Sequence, residues 1–254
     1  MEIVLIGTGN TASILGHKLK AAGHNIVQIY GRNAQAASDL AYELDTESTN
    51  YWSIVTRQAD LYIIAVSDIA IEEIIRELGF PNKTIVHTAA SVSKEILRPA
   101  AEHYGVLYPL QSLKKGSGRL PDIPILIDAS DEATLKELDN LAHTITTHVE
   151  EAGDEERLKL HLAAVFCNNF VNHLYALMED YCKRENISFN LLKPLILETA
   201  LRIETVSPSD AQTGPAVRED SNTLQKHLQM LERYTHLKEI YQLFTKSIAQ
   251  HSRS

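Results

Sequence analysis

The chain has 254 residues, with 24 lysines and arginines against 33 aspartates and glutamates, a formal charge of −9, and hydrophobic residues at 44%. That length is enough for one large domain or two modest ones, each able to bury a core. The acidic balance and the lack of a dense Lys/Arg cluster exclude the footprint that phosphate neutralisation needs, so no nucleic-acid partner is expected.

The N-terminus, Met1-Glu2-Ile3-Val4-Leu5-Ile6-Gly7, has no basic leader and too short an apolar run for a signal peptide. Glu2 to Ile6 predicts a strand, followed at once by Gly7-Thr8-Gly9-Asn10-Thr11-Ala12. Ala12, Leu15, Leu19 and Ala22 recur at helical spacing until Gly23 supplies a stop. Asn25 to Tyr30 predicts a second strand, which completes a βαβ-sized unit of about 30 residues. Further on, Asp60–Val66, Thr84–Thr88, Pro124–Ile127 and Thr146–Val149 read as strands, with helices at Ile69–Leu78 and Asp131–Ala142. Leu61 to Val66, among the longest apolar runs, is far below the ~20 residues of a membrane span. Strands interleaved with helices predict a doubly wound, mostly parallel α/β sheet. Leu113 to Pro121, with Lys114-Lys115-Gly116-Ser117-Gly118-Arg119, reads as a flexible loop, either solvated or guarding phosphates.

Near residue 150 the texture changes. Glu150-Glu151-Ala152-Gly153-Asp154-Glu155-Glu156 is an acidic connector, and strand signals vanish after it. Arg157 to Lys183 predicts one long helix, apolar on nearly every side and therefore buried. Helices at about Phe189–Thr205 (kinked at Pro194), Thr223–Arg233 and Leu237–Gln250 follow, with Asp220 or Ser221 and Thr235 as N-caps. The expected domains are 1–150, α/β, and 151–254, all-α. Cys167 and Cys182 have no metal-type spacing, no metal is expected, and on one helix they would stand about 22 Å apart. A disulfide between them is thus excluded, consistent with a reduced, cytoplasmic protein.

Gly-x-Gly-x-x-Ala after a first strand suits a dinucleotide. The first glycine makes the turn, the second admits the pyrophosphate, and the helix N-terminus offers free N–H groups. This places Gly7, Thr8, Gly9, Asn10 and Thr11 at the cofactor. NAD binders usually carry an acid about 20 residues on for the ribose 2′-hydroxyl. From Gly23 to Ser38 there is no acid at all, and Gly31-Arg32-Asn33 ends the second strand. A guanidinium can pair with a 2′-phosphate that a carboxylate would repel, so NADP is the expected cofactor. Ligands sit at the carboxyl edges of such strands, which adds Val66, Ser67, Asp68, Thr88 and Ala89 as candidates.

His161, Asn168 and Asn172 fall within about 40° on an ideal helix, with Asn169 on the flank, a polar stripe suited to a wet cleft. His161 is the candidate general acid, since imidazole titrates near neutrality. Asn169, Asn172 and Gln111 are candidates to orient a small-molecule substrate. Arg218 is equally a carboxylate anchor or a partner of Asp220 or Glu219. Tyr234 and Lys238 match a Tyr-x-x-x-Lys spacing by coincidence, far from the nucleotide half.

The chain resembles NADP oxidoreductases that pair a Rossmann-like domain with a helical domain of unknown function. Their relatives are deazaflavin-dependent NADP reductases and pyrroline-5-carboxylate reductases, in the 6-phosphogluconate-dehydrogenase-like group. The resemblance spans the chain and rests on Gly7-Thr8-Gly9-Asn10, Tyr30-Gly31-Arg32-Asn33, Ala65-Val66-Ser67-Asp68, His87-Thr88-Ala89-Ala90-Ser91, Tyr108-Pro109-Leu110-Gln111, His161 through Asn169, and Thr213-Gly214-Pro215. It implies a Rossmann sheet followed by an all-α domain, NADP as cofactor, and a homodimer through the helical half. One departure counts. Hydroxyacid dehydrogenases of the wider group place a catalytic Lys four residues before an Asn, where this chain has Ala164 and Val165. Their 2-hydroxyacid chemistry therefore does not carry over. An oxidoreductase acting on a small carbonyl or imine, or a non-catalytic NADP(H) sensor, both fit.

Overall fold

The computed structural model describes residues 1–115 and 122–251, and the chain divides into two compact units, Met1–Phe170 and Val171–Ser254. The first unit runs β1 (Glu2–Ile6), α1 (Asn10–Ala21), β2 (Asn25–Tyr30), α2 (Ala34–Leu44), β3 (Glu47–Thr49), β4 (Leu61–Ile64), α3 (Asp68–Glu77), β5 (Thr84–His87), β6 (His103–Pro109), β7 (Ile125–Ala129), α4 (Glu132–His143), β8 (Val149–Glu151) and α5 (Asp154–Ala164). Its eight strands are ordered β3-β2-β1-β4-β5-β6-β7-β8. Every pairing is parallel except β6 with β7.

Period-two alternation in β1 builds two cores. Ile3 and Leu5 face a cluster with Leu15 and Leu19 of α1, Leu40 of α2 and Leu138 of α4. Val4 and Ile6 face the other side, with Ile71, Ile74 and Ile75 of α3. Helices thus cover both faces, and strands buried on both sides read as near-continuous apolar runs. The order turns about β1, with β2 on one side and β4 on the other. That is the switch point where ligands enter doubly wound sheets.

Two strands were not legible in the sequence. β3 is three polar residues, Glu47-Ser48-Thr49, with no alternation to mark it. β6 contains Gly105 and ends in Pro109, both of which ordinarily interrupt strands. Gly105 is there for packing: a Cβ would stand 2.3 Å from the Asp128 carbonyl oxygen. The last strand is Val149–Glu151, three residues beyond the expected start.

The predicted long helix is corrected in two ways. It is interrupted by a π-helical turn, Val165–Phe170, after α5 and before α6 (Val171–Arg184). Nor is it buried: Leu158, Leu162, Phe166 and Phe170 are all exposed. A π turn widens the helix to i→i+5 bonding, so the ideal 100° projection that aligned His161 with Asn168 fails beyond Val165.

In the second unit, α6 is followed by a 3-10 turn at Phe189–Leu192, then α7 (Lys193–Arg202), α8 (Ser221–Met230) and α9 (Thr235–His251). Pro194 does not kink a helix but stands in the first turn of α7, where its missing N–H costs nothing. Asp220 caps α8 by accepting the Thr223 N–H at 3.1 Å. Thr235 is the first residue of α9 rather than its cap. Both cysteines are free. Among the described residues no helix is long and apolar enough to cross a membrane.

Candidate active site

The glycine turn between β1 and α1 is fixed by close packing. The Gly7 N–H donates to the Tyr30 carbonyl at 2.8 Å, tying the turn to β2. Gly7 has φ +130°, and a Cβ there would lie 2.2 Å from the Ala65 carbonyl oxygen. At the end of β2, a Cβ on Gly31 would meet the Thr8 methyl at 2.5 Å. These two glycines let three strand ends converge.

The convergence opens a cleft of ≈560 Å³ at the carboxyl edge of β1, β2 and β4. Its lining includes Gly7, Thr8, Gly9, Asn10 and Thr11, Gly31, Arg32 and Asn33, Val66 and Ser67, and Gln111. Sequence reasoning had assigned all of these separately, and the fold brings them together. Asp68, Thr88 and Ala89 do not line it. Asp68 instead accepts a hydrogen bond from the Ser91 hydroxyl. Thr88 bonds back to the Ile64 carbonyl, and the Ala89 N–H donates to His87 Nδ1 at 3.2 Å. Asn33 has a structural duty as well, capping α2 through the Ala36 N–H at 3.0 Å.

Three features suit this cleft to a dinucleotide diphosphate. No side chain caps α1 and its first turn carries no acid, so its N–H groups are free for an anion. A Cβ at Gly9 would meet nothing within 4 Å, leaving bare backbone toward the opening. Two cations stand by. Arg32 lines the cleft, and Lys115 Nζ donates to the Thr8 carbonyl at 2.7 Å while its N–H donates to Asn10 Oδ1. The rest of that lysine-rich loop, 116–121, lies outside the described residues.

The lining also contains residues that motif reading missed. Trp52 stacks on Tyr30, ring centroids 3.6 Å apart and 22° from parallel. Trp52 opens a one-turn 3-10 helix, Trp52–Ile54, in the connection after β3, too short for any spacing rule to reach it. Glu73 of α3 approaches Arg32 at 3.5 Å. The only available signal for Glu73 was that α3 follows the strand beside β1. An acid therefore comes to Arg32 through space although none is near it in sequence.

A second cluster lies at the same carboxyl edge, on β5 and β6, which run parallel to β4. The Tyr108 hydroxyl and His161 Nδ1 are 2.9 Å apart, with the rings edge to face. Burial, reinforced by the Asp68 charge and opposed by Arg157, pushes the Tyr108 phenol above its usual range. His87 is fully buried, and its Nε2 has no hydrogen-bond partner. Burial first, then the Arg157 charge, lowers its pKa to about 4, so it is neutral at pH 7 and cannot be the acid there.

Arg157 organises the backbone beneath this edge. Its guanidinium is fully buried and donates to the carbonyls of Ala90, Ala152 and Val92 and to Asp154 Oδ1. Asp128, near Arg157 at 3.9 Å, is paired more closely with Lys94 at 2.5 Å.

The other candidates are not among the residues that line the cleft. Asn169, in the π turn, and Asn172, in α6, are exposed. Arg218 lies where its charge helps lower the Asp220 carboxyl, behind the larger effect of the Thr223 hydrogen bonds. The Tyr234 hydroxyl donates to Glu185 and Lys238 pairs with Glu232, so the Tyr-x-x-x-Lys spacing serves surface contacts.

Comparison with known proteins agrees with this geometry. Residues 2–91 match the family described as NADP oxidoreductase, coenzyme F420-dependent, and residues 123–248 match a domain of unknown function, DUF2520. A structure titled as a putative NADP oxidoreductase from Bacteroides fragilis is 38% identical, with 98% of each chain covered and a TM-score of 0.91. A pyrroline-5-carboxylate reductase from Streptococcus pyogenes shares the fold at 14% identity and TM-score 0.67, covering 98% of both chains. An imine reductase from Myxococcus stipitatus, solved with NADP+, does so at 16% identity and TM-score 0.60, covering 100% of this chain and 93% of its own. Among curated proteins, none matches this chain. The chain belongs to the NADP oxidoreductase family, and in it an NADP oxidoreductase domain is followed by a DUF2520 domain.

Proposed function

We propose that this protein is an NADP(H)-dependent reductase of a small carbonyl or imine. The observation that carries the reading is the single cleft in which an uncapped helix N-terminus, two turn glycines and Arg32 converge. The Gly7–Thr11 turn and the α1 N–H groups would take the diphosphate, and Arg32 the 2′-phosphate. Bound NADPH supplies a hydride from its nicotinamide ring.

His161 supplies the proton. Reduction of a C=N or C=O bond leaves electron density on nitrogen or oxygen, and the Nε2–H of the imidazolium form of His161 can deliver a proton there, leaving neutral imidazole. Tyr108 fixes the ring orientation through its hydrogen bond with Nδ1. Gln111, which lines the cofactor cleft, is the group for orienting a polar substrate.

A panel of small cyclic imines and carbonyl compounds with NADPH tests this, read as loss of nicotinamide absorbance. Oxidation with at least one member is expected, and His161→Gln is expected to lower kcat about 10²-fold or more while leaving NADPH affinity unchanged. Binding of NADPH without turnover of any member favours a cofactor sensor instead. Full activity in His161→Gln removes the acid role.

The protein is proposed to act as a homodimer in the cytoplasm. The first unit's α5 and π turn expose Leu158, Leu162, Phe166 and Phe170, and the second unit's α7 exposes Leu195, Leu197 and Leu201. Apolar side chains in such number mark an interaction surface. Sedimentation equilibrium is expected to report twice the 28.4 kDa chain mass. A monomer at micromolar concentration contradicts it.

A further inference from the structure

We propose that Glu73 sets how strongly the cleft prefers a phosphorylated over an unphosphorylated adenosine ribose, acting as a built-in competitor for Arg32. The inference rests on the cofactor reading above. Glu73 Oε2 lies 3.5 Å from Arg32 Nη1, and both residues line the dinucleotide cleft with side chains 69% and 72% exposed. Neither charge has been withdrawn from solvent. An exposed ion pair of this kind is weak and readily exchanged. A 2′-phosphate offers the guanidinium two oxygens in a matching plane, a better partner than a single carboxylate oxygen.

Two consequences follow from the charges. In the free protein Glu73 holds Arg32 across the mouth of the cleft. Once a phosphate sits on Arg32, Glu73 is a like charge close to it, and that repulsion weakens every ligand bearing the phosphate. A ligand with a plain 2′-hydroxyl has no such charge and is indifferent to Glu73. The residue therefore acts on one ligand class and not the other. The chain carries no strand-end acid to exclude a 2′-phosphate, yet α3 brings a carboxylate from across the cleft that moderates its binding.

The experiment is equilibrium titration of NADPH and NADH into the full-length wild type, Glu73→Gln and Glu77→Gln, followed by quenching of Trp52. Trp52 is the only tryptophan and lines the same cleft. Glu77, one turn further along α3, makes no ion pair with Arg32 and serves as the control for general charge. Glu73→Gln is expected to tighten NADPH about fivefold at low salt, to shift NADH less than about twofold, and to lose most of its effect at 0.5 M salt. Glu77→Gln is expected to stay within about twofold for both ligands. Unchanged or weaker NADPH binding in Glu73→Gln overturns the proposal, as does an equal gain for NADH or an equal gain in Glu77→Gln. Absence of NADPH binding to the wild type overturns the cofactor reading itself, a distinct result.

Discussion

Gly7→Ala is expected to destabilise the protein by about 3 kcal/mol or more and to abolish dinucleotide binding. Two costs add at this position. The backbone sits at φ +130°, a conformation L side chains rarely adopt, which alone costs on the order of 1–3 kcal/mol. The new methyl would also stand 2.2 Å from the Ala65 carbonyl oxygen and 2.8 Å from its carbon, both backbone atoms of the neighbouring strand connection. Neither can yield without displacing the Ala65 N–H bond to Ile6, which joins β1 to β4. Urea unfolding by circular dichroism gives the stability change, and titration of NADPH gives the binding. A folded variant with native affinity would show that the turn is not the cofactor's seat. Gly9→Ala is the informative companion: its Cβ meets nothing in the protein, so stability is expected to fall little while NADPH binding weakens.

Arg157→Leu is expected to cost about 3 kcal/mol of folding stability. The residue is fully buried, and its guanidinium satisfies three backbone carbonyls together with Asp154. Removing the cation leaves those carbonyls without donors in the interior, while leucine recovers part of the packing. Asp128 should suffer less, because Lys94 remains its closer partner. A second readout is specific to the network. The Arg157 charge helps hold the His87 pKa near 4, so the variant's His87 is expected to titrate higher, toward the range of an ordinary buried histidine. NMR titration of the imidazole checks this. An unmoved His87 together with unchanged stability would mean that the network is incidental.

Much of the first unit was legible because its strands are buried on both faces and its glycines have steric reasons. Gly7-Thr8-Gly9 announced a turn that the fold builds, and the end of β2 at Tyr30 fell as read. Gly105 misled in the opposite direction, since a glycine that reads as a strand breaker is what allows β6 to approach β7. The site was legible only where its residues lie on strand ends. Contributions from helix faces and connectors were not. Glu73 and Trp52 reach the cleft through packing that no spacing encodes, and the Arg32 environment, read as free of acid along the chain, gains a carboxylate from α3. The π turn is a further example. Val165–Phe170 has an ordinary helical sequence, and the change to i→i+5 bonding there leaves no mark in hydrophobic periodicity. The apolar pattern of Arg157–Lys183 predicts burial, whereas Leu158 and Leu162 are exposed, because composition tells that a side chain seeks cover, not which chain supplies it.

The proposed seat of NADP(H), with its 2′-phosphate, is the cleft between the Gly7 turn and Arg32. Calorimetric titration of NADPH and NADH into the wild type and Arg32→Gln tests it most directly. The wild type is expected to bind NADPH about tenfold or more tightly than NADH, and Arg32→Gln to remove most of that preference while leaving NADH affinity nearly unchanged. Equal affinities for the two nucleotides, unaltered in Arg32→Gln, would contradict it.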